Sequence, residues 1–163
     1  HGRGKTADLI FKLERQFKSA DQPFETTLTV SFSNEGDGIQ SVLAPKFSGS
    51  TLRLPRAAPE NGYALELVKQ AGRPAANKPI ATGTREDQNY FFRVRTVLDE
   101  KKQIKSAHYG KILGDIRLDV INANPGYISF TYYLNPTPNE RGMEYNGQSL
   151  VQGLGGKEQP DEP

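Results

Sequence analysis

The stretch NYFFRVRTVLDEKKQIKSAHYGK, residues 89–111, carries the strongest fold signal in the chain. From Tyr90 onward, aromatic and β-branched side chains alternate between two faces, which is the period-two pattern of a β-strand. The charged run DEKK at residues 99–102 interrupts this pattern, and a second β-rich segment follows at residues 103–111. The arrangement predicts an antiparallel β-hairpin with a four-residue loop.

Other segments show the same strand pattern. The clearest is ETTLTVSF at residues 25–32, where Thr26, Leu28 and Val30 alternate with polar residues. Further predicted strands lie at residues 39–43, 51–54, 63–68, 116–120 and 127–134. The last two follow the hairpin in sequence, so we expect three successive antiparallel strands from residue 103 onward.

Two segments require a choice between structures. Residues 69–87 are rich in Gly, Pro, Ala and charged side chains, which predicts an exposed loop. Near the N-terminal end, Leu9, Phe11 and Leu13 fit one face of a strand. Leu9, Ile10, Leu13 and Phe17 instead fit one face of a helix. We favour the strand and keep the helix as the alternative.

The composition points to one β-rich domain. The chain has 163 residues, and its 16 glycines and 11 prolines interrupt it too often for long helices. We therefore predict an all-β fold, an antiparallel β-sandwich over residues 1–145. The Gly-rich and acidic residues 146–163 predict a flexible tail.

Charge and residue usage argue against several classes of partner and site. The formal net charge is +2, and the basic residues are dispersed among the acidic ones, so we expect no nucleic-acid partner. The absence of cysteine excludes disulfides and thiolate sites. No apolar run has the length of a membrane-spanning helix, so we expect no membrane-spanning segment.

Motifs of the common enzyme classes are missing. The chain has no Gly-x-Ser-x-Gly elbow and no Gly-Lys-Ser/Thr end of a phosphate-binding loop. Its two histidines, His1 and His108, are the sole candidates for the base of a catalytic triad. We expect a domain that is not an enzyme and that uses no cofactor.

The positions of the two histidines support an alternative. An N-terminal histidine binds copper through its amine and its ring, and a second imidazole completes a three-nitrogen site suited to Cu(II). The pair His1 and His108 resembles the histidine brace of lytic polysaccharide monooxygenases, which are secreted copper enzymes with a β-sandwich fold. The resemblance implies that His1 and His108 bind copper and that Tyr127, Phe130 or Tyr132 is the axial aromatic residue.

The predicted hairpin register suggests a surface patch. A loop at residues 99–102 pairs Arg95 with Ser106 and Arg93 with His108, so that Arg93, Arg95 and His108 share a face. Two guanidinium groups beside an imidazole suit a carboxylate, a sulfate or a sugar acid. The alternative is a solvated face on which the arginine stems cover apolar surface.

Three segments resemble parts of uncharacterised bacterial proteins that are predicted to be exported. They are residues 89–100, 106–112 and 130–139, which are mainly strand residues. The resemblance implies a shared β-rich fold and an extracytoplasmic location, either secreted, periplasmic or at the cell surface.

These observations favour a non-catalytic binding or assembly module. Its expected partner is a carbohydrate or a protein subunit, with a homo-oligomer, a filament or another surface structure as possible outcomes of assembly. In one version of this hypothesis, the segment with Leu9, Phe11 and Leu13 leaves its own core and completes the sheet of a neighbouring subunit. A structural domain of a larger envelope protein is the other alternative.

Overall fold

The computed structural model describes residues 7–44, 55–119 and 127–144. Seven β-strands and no helix occur in this part of the chain. The strands are β1 (Ile10–Gln16), β2 (Phe24–Ser31), β3 (Gly38–Leu43), β4 (Glu66–Arg73), β5 (Gln88–Leu98), β6 (Ile104–Asp119) and β7 (Tyr127–Leu134). The ambiguous N-terminal segment is thus a strand, as the alternation of its apolar residues favoured.

The strands form two antiparallel sheets that pack as a β-sandwich. One sheet has the order β1-β2-β4, and the other has the order β3-β5-β6-β7. Every strand pair is antiparallel. The predicted all-β sandwich is confirmed, and the predicted strands at residues 25–32 and 39–43 correspond to β2 and β3.

The main core lies between the sheets. Alternate residues of β2 face inward, and Leu28 and Val30 are fully buried. From the other sheet, Phe92, Val94 and Ile112 meet them in one apolar cluster. This is the packing that period-two alternation dictates when one face of each sheet is covered.

A second apolar cluster covers the outer face of the larger sheet. Phe91, Ala107 and Tyr109 pack there against Ala58 and Met143. This cover consists of two segments outside the strands, one around Ala58 and one around Met143. Backbone hydrogen bonds join them, from Ala58 N to Arg141 O and from Met143 N to Arg56 O, both 2.8 Å long. Both faces of β5 are therefore buried, which accounts for the adjacent aromatic residues that point in opposite directions.

The predicted chain reversal between residues 111 and 116 is wrong. β6 continues without reversal from Ile104 to Asp119, and the register with β7 shifts between Leu113 and Arg117. Gly114 lies at this shift with a φ of +74°. A glycine in the left-handed region makes a bulge in the strand, so the chain bends but keeps its direction.

The assignment of residues 69–87 to an exposed loop is wrong in its first part. β4 extends to Arg73, and both Lys69 and Ala71 are buried. Pairing with β2 holds these residues in the sheet, because it satisfies the hydrogen-bonding groups of their backbone. The polar and glycine-containing sequence of this segment gives no local sign of that pairing. The predicted strand at residues 63–68 begins later, at Glu66, after an isolated bridge between Ala64 and Ile39.

Several sequence-based predictions fall outside the described residues. They concern the strand at residues 51–54, the tail at residues 146–163 and the copper-binding role of His1.

Candidate functional site

An open groove of about 710 Å³ lies on the outer face of the larger sheet, beside the tip of the β5–β6 hairpin. Its lining is strongly charged and includes Glu35, Glu60, Arg93, Lys102 and Arg141. Arg93 belongs to the predicted patch, so this groove is the natural place to test the sequence-based site.

Arg93 is engaged by the protein itself. Its Nε donates a 2.7 Å hydrogen bond to the carbonyl of Gly36, and its Nη1 donates a 3.1 Å bond to the carbonyl of Glu60. The guanidinium carbon lies 4.7 Å from the centroid of the Tyr63 ring, within cation–π range. These contacts clamp the loops at Gly36 and Glu60 to β5, so Arg93 acts as a structural cation in the groove.

Two further cations of the groove, Arg141 and Lys102, are also paired. Arg141 Nη2 lies 2.9 Å from Glu60 Oε1, and Lys102 Nζ lies 2.7 Å from Glu35 Oε2. Burial raises the pKa of Tyr63 well above its usual range, with a further contribution from nearby Tyr109, and the Tyr63 hydroxyl donates a 2.8 Å bond to the carbonyl of Pro59. Arg93, Arg141 and Lys102 are thus engaged by groups of the same chain, and Tyr63 contributes a neutral phenol to the groove.

The hairpin register differs from the predicted one. Arg93 pairs with Tyr109, and Val94 pairs with His108, so Arg93 and His108 point to opposite faces of the sheet. The predicted register placed four residues between the last paired residues of the hairpin, whereas Leu98 pairs with Ile104 and the loop has five residues. The shifts on either side of Val97 cancel, so the one-residue difference set at the loop persists at Val94 and Arg93. The structure thus does not bring the two side chains together as a patch.

Arg95 and His108 have separate surroundings. Arg95 is the residue of the bulge, with a φ of 56°, and its guanidinium binds both carboxylate oxygens of Asp8 at 2.9 and 2.8 Å. His108 is half-buried, and its Nδ1 is buried without a hydrogen-bond partner among the described residues. The hydrogen bonds to Asp8 raise the pKa of Arg95, so this side chain is a permanent cation.

The described residues hold no group of three or more His, Asp or Glu side chains that is placed to bind a metal ion. Since His1 lies outside this part of the chain, the histidine brace and its copper ion stay a prediction. Phe130, one of the candidate axial aromatic residues, contacts Phe11 across the sandwich with ring centroids 5.3 Å apart. Tyr132 is 59% exposed, so it is the more accessible of these two rings.

The residues of the predicted donor strand lie together on β1 and just before it. Leu9, Phe11 and Leu13 are half-buried and pack against the main core from the edge of the three-stranded sheet. The opposite face of β1 carries exposed residues, including Lys12. In the described part of the chain, β1 pairs with β2 alone.

A buried polar cluster between the sheets was missed by the sequence analysis. Lys69 of β4 contacts Asp115 of β6 in an ion pair, and Tyr90 of β5 donates a 2.6 Å hydrogen bond to Asp115 Oδ1. A signal was present: Lys69 is the polar member of the inward-facing series Leu67, Lys69, Ala71. The cluster was hidden because its three members come from distant parts of the chain.

Comparisons with known proteins give no match, whether with protein-family models, with curated proteins or with solved structures. Among the described residues, no helix has the length and hydrophobicity to cross a membrane.

Proposed function

We propose that this domain is a non-catalytic assembly module of an extracytoplasmic structure, in which β1 is exchanged between copies of the chain. The observation that carries the proposal is the placement of β1 at a sheet edge, with Leu9, Phe11 and Leu13 directed at the core. The partner is therefore a second copy of this chain, and the reaction is strand addition by backbone hydrogen bonding.

The sequence of β1 suits exchange. Its apolar residues alternate with exposed ones, so the strand fills the core with one face and meets solvent with the other. A copy of β1 from another molecule presents the same side chains and the same antiparallel register to β2, so exchange conserves every contact of the closed form. The conformational change is confined to the hinge at residues 17–23, which separates β1 from β2, and the association of two chains adds an entropic cost that high protein concentration offsets.

The charged groove supports a protein partner over a carbohydrate. Its arginines bind carbonyl and carboxylate groups of the same chain, as in the contacts of Arg93 with Gly36 and of Arg141 with Glu60. A sugar acid would have to displace these bonds before it could use either guanidinium. Strand exchange also opens the contacts between β1 and β2, but the β1 of the other copy restores each of them with the same residues.

Cross-strand cysteines test the exchange directly, because the chain contains no cysteine of its own. Lys12 and Thr29 are Cα partners across β1 and β2. We would unfold a Lys12→Cys protein and a Thr29→Cys protein together, refold the mixture at high concentration and oxidise it. Exchange predicts a disulfide-linked heterodimer that joins Cys at position 12 of one chain to Cys at position 29 of the other.

A matched pair measures random oxidation. Thr27 and Gln70 are Cα partners across β2 and β4, and neither strand is expected to exchange. The heterodimer of the Thr27→Cys and Gln70→Cys proteins gives the background yield. A Lys12/Thr29 heterodimer at or below this yield, together with a purely intramolecular disulfide in the Lys12→Cys/Thr29→Cys double variant, would refute the proposal.

A further inference from the structure

Lys69 occupies a position that the strand pattern reserves for a core residue. On β4, the exposed residues Glu66, Val68 and Gln70 alternate with an inward-facing series, and Lys69 lies in that series between Leu67 and Ala71. Its side chain is only 6% exposed. An ammonium group is seldom placed this deeply without a specific partner, because burial removes the water that solvates its charge.

The partner is Asp115, whose side chain is 1% exposed. Asp115 follows the glycine of the β6 bulge, so the bulge aims its carboxylate between the sheets toward β4. Lys69 Nζ contacts Asp115 Oδ1 in an ion pair that joins the two sheets across 46 residues of chain. The amine and the carboxyl group thus lie side by side in a site screened from water.

Each oxygen of Asp115 has a further hydrogen-bond donor. Oδ1 accepts a 2.6 Å bond from the hydroxyl of Tyr90, and Oδ2 accepts a 2.8 Å bond from the backbone N–H of Arg85. The Tyr90 hydroxyl also lies 3.5 Å from Lys69 Nζ, so it touches both the amine and the carboxyl oxygen. Burial, together with the Asp115 carboxylate, raises the pKa of Tyr90, so its hydroxyl keeps its proton at neutral pH.

We propose that Lys69 and Asp115 form an intramolecular isopeptide bond that covalently joins the two sheets. The proposal is independent of strand exchange, since β1 takes no part in it. The reaction condenses one amine with one carboxylic acid to give one amide and one water molecule, and no oxidant or further reactant is needed.

The steps follow from the contacts of the cluster. In the first step, a proton passes from the Lys69 ammonium to Asp115 Oδ1, which leaves a nucleophilic amine beside a carboxylic acid. Nζ then attacks Cγ, and the negative charge that develops on Oδ2 is stabilised by the Arg85 N–H. The Tyr90 hydroxyl gives its proton to Oδ1 and takes one from Nζ, so Oδ1 leaves as water and Oδ2 becomes the amide oxygen.

Two features of the site drive the condensation. The folded sheets hold the amine and the carboxyl group in contact, and such intramolecular placement is equivalent to an effective concentration of about 10⁵ M or more. The site also excludes water, which is the reactant of the reverse reaction.

Mass spectrometry of the intact, denatured chain tests the proposal. The wild-type protein is expected to be lighter than its sequence by one water molecule, and a proteolytic digest should contain a branched peptide that includes both Lys69 and Asp115. Trypsin should fail to cleave after Lys69 in the joined form. A wild-type chain that keeps its full sequence mass after prolonged incubation would overturn the proposal.

The Lys69→Arg variant is the matched control, because it keeps a cation beside Asp115 and removes the nucleophilic amine. It is expected to show the full sequence mass, with the Lys69→Met variant as a second control in case the larger guanidinium disturbs folding. Water can also be lost by succinimide formation at the Asp37–Gly38 pair. A loss of water that persists in both Lys69 variants, with a product that hydroxylamine converts to a hydroxamate, would assign it to such a site and refute the isopeptide bond.

The Tyr90→Phe variant tests the proton relay. It removes the hydroxyl that contacts Asp115 Oδ1 and keeps the ring in the core. In newly synthesised chains, followed from the time of folding, the loss of water should be at least tenfold slower than in the wild type. Equal rates in the two proteins would exclude Tyr90 from the reaction.

Discussion

The carboxylate of Asp37 holds the backbone of Arg95 in a left-handed conformation. Asp37 Oδ2 accepts a 3.2 Å hydrogen bond from the Arg95 N–H, and Oδ1 accepts a 2.8 Å bond from the Thr96 N–H. Arg95 has a φ of 56°, which is costly for a residue with a side chain, and the bulge at this point shifts the β5–β6 register. A buried anion thus provides the hydrogen bonds that the interrupted ladder lacks.

We expect Asp37→Ala to lower the free energy of unfolding by about 3 kcal/mol, because it leaves the buried Thr96 N–H and the partly buried Arg95 N–H without an acceptor. Asp99→Ala is the matched control: Asp99 also accepts two backbone N–H bonds, from Lys101 and Gln103, but in an exposed loop where water replaces it. Urea unfolding measures both. A loss at Asp37 no larger than the loss at Asp99 would contradict the role assigned to Asp37.

Glycine at position 110 is required by a close approach of its neighbours. A Cβ atom there would lie 2.2 Å from Cζ of Phe92 and 2.6 Å from the carbonyl oxygen of Tyr133. We expect Gly110→Ala to cost about 3 kcal/mol of stability, since the Phe92 ring is fully packed and has no space to move into. Gly114→Ala provides the comparison: it meets no atom within 4 Å and should cost about 1 kcal/mol through its positive φ alone. Thermal unfolding of the two variants should show this order, and the reverse order would contradict it.

The hairpin loop offers a stabilising substitution. Lys102 has a φ of 61° and forms an exposed ion pair with Glu35. Lys102→Gly relieves the left-handed strain and loses an exposed ion pair of little value, so we expect a gain of about 0.5 kcal/mol. Lys101→Gly has no such strain to relieve and should reduce stability. Denaturant unfolding of both variants tests the prediction, which fails if glycine destabilises position 102 as much as position 101.

Alkaline pH should destabilise the fold through its buried phenols. Burial raises the pKa of Tyr90 and of Tyr63 above the ordinary value of 10.0. Below pH 10.0 both states keep the protons and the full stability is present, whereas above it the unfolded chain releases them first, so the free energy of unfolding falls by about 1.4 kcal/mol per pH unit for each such tyrosine.

Tyr90→Phe and Tyr63→Phe should each remove the contribution of one phenol, about 1.4 kcal/mol per pH unit, from the fall in the free energy of unfolding above pH 10.0. Urea unfolding at a series of pH values above 10.0 gives the slope for each protein. A slope that is the same in the wild type and in the Tyr90→Phe variant would show that this phenol ionises equally in the folded and unfolded states.

The sequence determined where most strands lie and which residues of β2 face inward. The alternation of Thr26, Leu28 and Val30 is a local pattern with a period of two, so it can be read without knowledge of any other strand. The same reasoning identified Leu9, Phe11 and Leu13 as one face of a strand, and the structure packs that face on the core.

Tertiary structure alone decided the bulge at Arg95 in the hairpin and the burial of Lys69. The bulge is held by Asp37, which reaches Arg95 and Thr96 across 58 and 59 residues of chain. Lys69 is held inside by Asp115, 46 residues away, although its own segment has the composition of a loop. Period-two patterning reports which residues share a face within one strand, whereas register and the pairing of buried charges depend on contacts between strands, which no local pattern contains.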